Sequence, residues 1–188
     1  MNEQSYLSGH FLIAMPNLQD PNFNRTVTFI CEHNANGAFG VVINRQVDAD
    51  VGEILSQLDI SVTENNPYIE KKIFLGGPVE VSRGLVLHSP IGHWGATLVK
   101  IGDIAITSSL DIMRAIAHGE APEKFLLSVG YAGWGPGQLE QEMVENAWLN
   151  GPADAKIIFD TPVEERWDAA AALLGIDLSL LSSDVGHA

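Results

Sequence analysis

Apolar residues recur along this chain in short runs, most with the length and the β-branched or aromatic content of strands. The runs cover His10–Met15, Arg25–Glu32, Ala38–Arg45, Lys72–Leu75, Gly84–His88, Thr97–Thr107, Phe125–Gly130 and Ala155–Phe159. Asn34-Ala-Asn-Gly37 separates the second run from the third and contains Asn-Gly, a strong hairpin signal. Lys100-Ile-Gly-Asp103 marks a second tight turn. Both connections favour antiparallel pairing.

Helices are announced by their caps. Asp50 with Glu53 opens a helix over Val51–Leu58, and Ser108 with Asp111 opens another over Ser109–His118. Thr161, Pro162 and Glu164 supply an N-cap, a first-turn proline and an acid for a helix ending near Gly175. A further helix is predicted from Gln138 to Trp148. Strands outnumber helices and do not alternate with them, so the pattern predicts one α+β domain over residues 1–188 with about four helices.

The densest local signal is Gly130-Tyr-Ala-Gly-Trp-Gly-Pro-Gly-Gln-Leu-Glu-Gln-Glu142. Its four glycines imply backbone conformations that a side chain would forbid, or close approach by another group. Tyr131 and Trp134 on such a segment make it a candidate binding site, joined by Gln138 and Glu140. On the following helix Leu139, Met143, Ala147, Val144 and Trp148 share a face, and Glu140 falls among them while Gln141, Glu142 and Glu145 point away. Two roles for Glu140 stay open: bonding back to exposed backbone donors at the helix start, or meeting an arginine or a ligand. The glycine spacing is not that of a dinucleotide or P-loop cradle, and the acids at the helix start oppose phosphate.

Other candidates are more scattered. Cys31 and His33 stand two apart on a predicted strand and so share a face, as a thiol–imidazole pair would require. Ser108 and Ser109 are explained by helix capping. Arg83 and His88, with Trp94, form a loose polar and aromatic set. Arg25 and Arg45 flank the first hairpin, and a simple turn places them on opposite faces; a bulge would be needed to make them one anion clamp. No metal-ligand spacing and no cofactor motif are present, and no complete catalytic constellation emerges.

Composition narrows the partners. Of 188 residues, 46% are hydrophobic, and a chain this long buries roughly 70% of its unfolded surface without disulfides or metal. Ten basic residues against 24 acidic ones give a formal charge of -14, which disfavours nucleic acid and anionic membranes. With one cysteine, no basic-then-apolar leader and no long apolar stretch, the cytoplasm is the expected compartment.

Several stretches together resemble the AlgH/YqgE family of bacterial proteins. They are Phe11-Leu-Ile-Ala-Met-Pro16 with Asp20-Pro21, Arg25-Thr-Val27 through Cys31-Glu-His33, Gly37 through Arg45, Gly76-Gly-Pro-Val79, Arg83-Gly-Leu-Val-Leu-His88, Thr107-Ser-Ser109 and Gly130 through Glu142. Ala153-Asp154 and Trp167 also fit, so the resemblance spans nearly the whole chain. It implies a strongly curved, mixed but largely antiparallel sheet, a partial or small barrel. The family takes its name from a proposed role in regulating alginate production and carries the label of transcriptional regulator, but the resemblance implies no catalytic residues. The leading expectation is a non-enzymatic binding or regulatory protein acting through a protein or small-molecule partner. The alternatives are a hydrolase or transferase using Cys31–His33 or Glu140, and a direct DNA-binding regulator, which the charge opposes.

Overall fold

The computed structural model describes residues 6–182. Ten strands run in the order β1 (His10–Ala14), β2 (Val27–Asn34), β3 (Gly37–Val42), β4 (Gln46–Asp50), β5 (Lys72–Leu75), β6 (Val79–Ser89), β7 (Thr97–Ile101), β8 (Ile104–Thr107), β9 (Lys124–Trp134) and β10 (Trp148–Pro152). Six helices accompany them: α1 (Val51–Gln57), α2 (Leu110–Ala117), α3 (Gln138–Val144), α4 (Ala155–Phe159), α5 (Arg166–Ala172) and α6 (Leu178–Ser182).

The strands pair in the order β10-β1-β2-β3-β9-β6-β8-β7, all antiparallel along that path. Strand β5 joins β9 in parallel and β4 in antiparallel fashion, so the sheet is mixed but largely antiparallel. It curls into a half-barrel. Phe11 and Ile13 of β1 share one core with Ile104 and Ile106 of β8, although the two strands lie far apart in the pairing order. Helices α4 and α5 close that core with Ile157, Ile158, Trp167, Ala170 and Ala171.

The central strand β9 shows how alternation distributes the packing. Leu126 enters the barrel core, whereas Phe125 and Leu127 turn to the opposite face beneath α1 and α2. Helix α1 begins with the expected reciprocal capping box, Asp50 accepting from Glu53 N and Glu53 accepting from Asp50 N, each at 3.0 Å. The Asn34-Ala-Asn-Gly37 segment does form a hairpin, with Ala35 and Asn36 as its two loop residues and Asn34 paired with Gly37. Gly37 is needed for another reason. Its φ is 127°, and a Cβ there would run into the backbone carbonyl of Trp134 on neighbouring β9.

Three expectations need correction. Ala155–Phe159 is a helix, not a strand, because Asp154 caps it by accepting from Lys156 N at 2.8 Å. The helix after the glycine segment stops at Val144, and Trp148 opens β10 beside β1 instead of ending the helix. Ala147 and Trp148 therefore do not belong to its apolar face, which centres on buried Leu139 and leaves Val144 75% exposed. The segment after Thr161 begins as a short 3-10 turn before α5, and α6 follows α5.

Candidate functional site

At the glycine-rich corner, β9 ends at Trp134 and turns into α3 through Gly137, whose φ of 73° would strain any other residue. Gln138 Oε1 accepts from Gly135 N at 3.0 Å and ties the turn together. Glu140 Oε1 lies 2.9 Å from Nε2 of His33, whose side chain is 1% exposed against 30% for Glu140. Leu7 N donates to the other ring nitrogen, Nδ1, at 3.0 Å. That donor leaves Nδ1 as the acceptor, so the ring hydrogen sits on Nε2 and is given to the Glu140 carboxylate. Glu140 thus joins α3 to β2, and it neither bonds back to the helix backbone nor faces an arginine.

Trp134 is buried in an aromatic group with Phe23 and Trp148. Glu142, expected to point away, lies half-buried beside the two tryptophans, and desolvation raises its carboxyl pKa, with the nearby indole N–H groups offsetting only part of the shift. Its Oε2 and Trp148 Nε1 have no partner at hydrogen-bonding distance.

A single bulge in β2 rearranges two sequence-predicted pairs. Between the bulge and the turn, Glu32 pairs with Phe39 and His33 with Ala38; on the other side of the bulge, Ile30 pairs with Gly40 and Thr28 with Val42. Cys31 is the extra residue. His33 therefore falls on the face of Ile30 and Ala38, while Cys31 packs in the barrel core with Phe29 and Val41. The expected shared face does not exist. Cys31 is 2% exposed, its Sγ is directed to Phe29 O at 3.6 Å, and burial with nearby Glu32 pushes its thiol pKa far up. Such a thiol is no nucleophile, and the Cys31–His33 reading falls.

The same extra residue acts oppositely on Arg25 and Arg45. Continuing the Thr28–Val42 register toward the strand ends sets Arg25 opposite Arg45. Both line one cleft of about 320 Å³ with Asn24, Asn44, Val163, Glu164 and Trp167. A simple turn would place them apart; the bulge removes that objection, and the two arginines line the same cleft.

Arg83 and His88 share β6 but not a site. His88 is fully buried, with Nδ1 donating to Pro90 O at 3.0 Å and Nε2 accepting from Thr107 Oγ1 at 2.8 Å. Desolvation lowers its pKa, partly offset by the Pro90 bond, and Trp94 packs edge-on against it. Arg83 is exposed, 3.3 Å from Glu80. It lines a cleft of about 330 Å³ with Glu32, Phe39, Leu85, Leu98 and Tyr131. Glu32 and Phe39 also belong to a neighbouring cleft of about 310 Å³ bounded by Trp134 and Gly37. Arg83, Tyr131 and Trp134 are therefore brought onto two adjoining clefts, Gln138 and Glu140 onto the corner behind them, and His88 elsewhere.

The N-terminus of α2 is organised by Asp111, which accepts from Gly95 N and Ile112 N at 2.8 Å and from the Ser109 hydroxyl. Those bonds, led by Gly95, hold its carboxyl below the ordinary range. Among the described residues, no three His, Cys, Asp or Glu side chains are grouped to hold a metal ion. No helix among them is long and apolar enough to cross a membrane.

Fold and clefts together define an α+β half-barrel protein with ligand-sized depressions on its outer surface. The AlgH-like (DUF179) family model matches residues 11–179, and the chain belongs to that family. A UPF0301 protein of Nitrosococcus oceani is 52% identical over the full length of both chains. Another from Nitrosospira multiformis is 50% identical over 97% of each. The solution structure of AlgH from Pseudomonas aeruginosa superposes with a TM-score of 0.80 at 49% identity, covering 100% of this chain and 99% of that one. A Corynebacterium diphtheriae protein shares the fold at 23% identity, with a TM-score of 0.73 and coverage of 97% and 94%.

Proposed function

We propose that this chain is a binding protein, and that it recognises a small molecule or a protein segment in the adjoining clefts around Phe39. The observation that carries the reading is the lining. Phe39 and Tyr131 meet edge-on at 6.1 Å, Leu98 is 43% exposed, and Glu32 and Arg83 supply opposite charges around them. Apolar walls with a few convergent polar groups are what ligand sites present. A regulatory role would follow through such a partner. The formal charge of -14 favours this indirect route over direct contact with DNA.

A thermal-shift screen of metabolites, together with pull-downs, tests the proposal on wild type and on Arg83→Ala and Tyr131→Ala. These positions are preferable to buried Trp134, whose removal would disturb folding. At least one ligand or partner is expected to stabilise wild type and to lose that effect in both variants. A response that survives both substitutions, or none in any protein, would sink the idea.

A further inference from the structure

The cleft between Arg25 and Arg45 stands apart from the clefts around Phe39 and has a different chemistry. The Arg25 guanidinium lies 4.5 Å above the ring of Trp167. That indole is itself fixed, buried and donating Nε1–H to Ala14 O at 2.9 Å. Asn44 clamps the backbone beneath, donating to Arg25 O and accepting from Val27 N, both at 2.9 Å. Arg25 is held there at a φ of 58°, a left-handed conformation unfavourable for a residue with a Cβ. Arg45 reaches the same place from β3's far end, with Nη2 donating to Asn24 O at 3.0 Å and Asn24 Oδ1 at 2.8 Å.

In a chain with 24 acidic and ten basic residues, an arginine is expected to find a carboxylate. Among the described residues, neither Arg25 nor Arg45 has one within 4.0 Å, and the Arg25 guanidinium donates to no protein acceptor. A third arginine, Arg166, lies buried beside the cleft, donating to Ile43 O and to Thr161 O and stacked on Phe74. Burial brings its pKa down to about 10, which still leaves it charged at neutral pH. Three of the five arginines thus gather at one end of the half-barrel. Glu164 on the rim and Asp20 near Arg45 oppose them without pairing to Arg25 or Arg45.

We infer that this cleft binds a small oxyanion-bearing metabolite, a phosphate ester or a dicarboxylate, between the guanidinium groups of Arg25 and Arg45. A guanidinium flattened on an indole keeps its donor edge open and aligned, as two-oxygen recognition of phosphate or carboxylate requires. The cleft volume of about 320 Å³ lies at the lower end of the range for small-molecule sites. Its ligand is distinct from whatever occupies the Phe39 clefts, and the two proposals fail independently.

Calorimetric titration of the full chain at low ionic strength tests this, with inorganic phosphate in one arm and succinate in the other. The expected result is saturable one-to-one binding in at least one arm, which also tells the two anion classes apart. Arg25→Gln and Arg45→Gln should each raise the dissociation constant at least tenfold. Arg114→Gln, an exposed arginine on α2, should leave it within twofold. Arg25→Gly removes the guanidinium while relieving the left-handed backbone, so it should lose binding in a folded protein. No saturable heat in either arm, or affinities indifferent to Arg25 and Arg45, would overturn the inference.

Discussion

Replacing Glu140 by alanine separates two roles for that carboxylate, and the structure sets the size of the effect. The substitution leaves the Nε2–H of His33, a ring whose side chain is 1% exposed, without its acceptor at 2.9 Å. An unsatisfied buried donor costs about 1–3 kcal/mol. Glu140 itself is 30% exposed, so water can partly replace it, and the lower part of that range, about 1–2 kcal/mol, applies. For a chain of this size that is a fall in Tm of roughly 2–8 °C. Glu140→Gln keeps an acceptor oxygen and should lose less than half as much. Urea denaturation of wild type, Glu140→Ala, His33→Ala and the double variant measures the coupling, expected at about 1 kcal/mol. A carboxylate kept for a ligand behaves otherwise: its removal leaves the free protein equally stable or more so. Stability of Glu140→Ala within about 0.3 kcal/mol of wild type, with no coupling to His33, would refute the reasoning.

Other consequences are open to separate assays. Cys31 should resist a thiol reagent in the native protein and react only at the rate of unfolding, because burial keeps it a thiol; fast native labelling would show the core placement to be wrong. Glu142→Gln should raise stability at pH 7, since the raised carboxyl pKa makes its ionised form unfavourable in the fold. That gain should fade as pH falls and vanish below the ordinary value of 4.5, and a gain persisting there would need another cause. His88 has a lowered pKa, so its contribution is fully present above pH 6.5 and is lost as pH falls further. The advantage of wild type over His88→Gln in urea should therefore shrink below pH 6.5, and a constant difference would contradict the neutral, doubly bonded ring. Gly37→Ala should cost at least about 2 kcal/mol in the same assay, from its φ of 127° and the blocked approach of Trp134. A near-neutral result would mean that β3 and β9 are not packed as described.

Much of the architecture was legible in the apolar pattern because most strands alternate or run apolar; a side chain caps α1 and α4, whereas Ser109 at the start of α2 makes no such bond. Asp50 with Glu53 is read directly from the residues and forms as expected. The failures have particular causes. Ala155–Phe159 has a strand-like composition, and it forms a helix that Asp154 caps and that packs Ile157 and Ile158 into the core. The face of α3 was misjudged because apolar periodicity continues through Ala147 and Trp148 although the helix has ended. The β2 bulge is the costliest omission, since it leaves no mark in composition yet reverses every facing beyond Cys31. It removed one proposed pair, Cys31 with His33, and lifted the objection to another, Arg25 with Arg45. The partner of Glu140 was hidden by the same shift, because only a displaced register turns His33 toward α3.

The most direct test of binding around Phe39 is amide NMR of labelled protein titrated with the ligand or partner that the stability screen selects. Resonances of Glu32, Phe39, Arg83, Leu98 and Tyr131 should shift together along one saturation curve, with the ligand recovered chemically unchanged. Shifts confined to other residues, or conversion of the ligand to a product, would contradict a binding protein that acts through this surface.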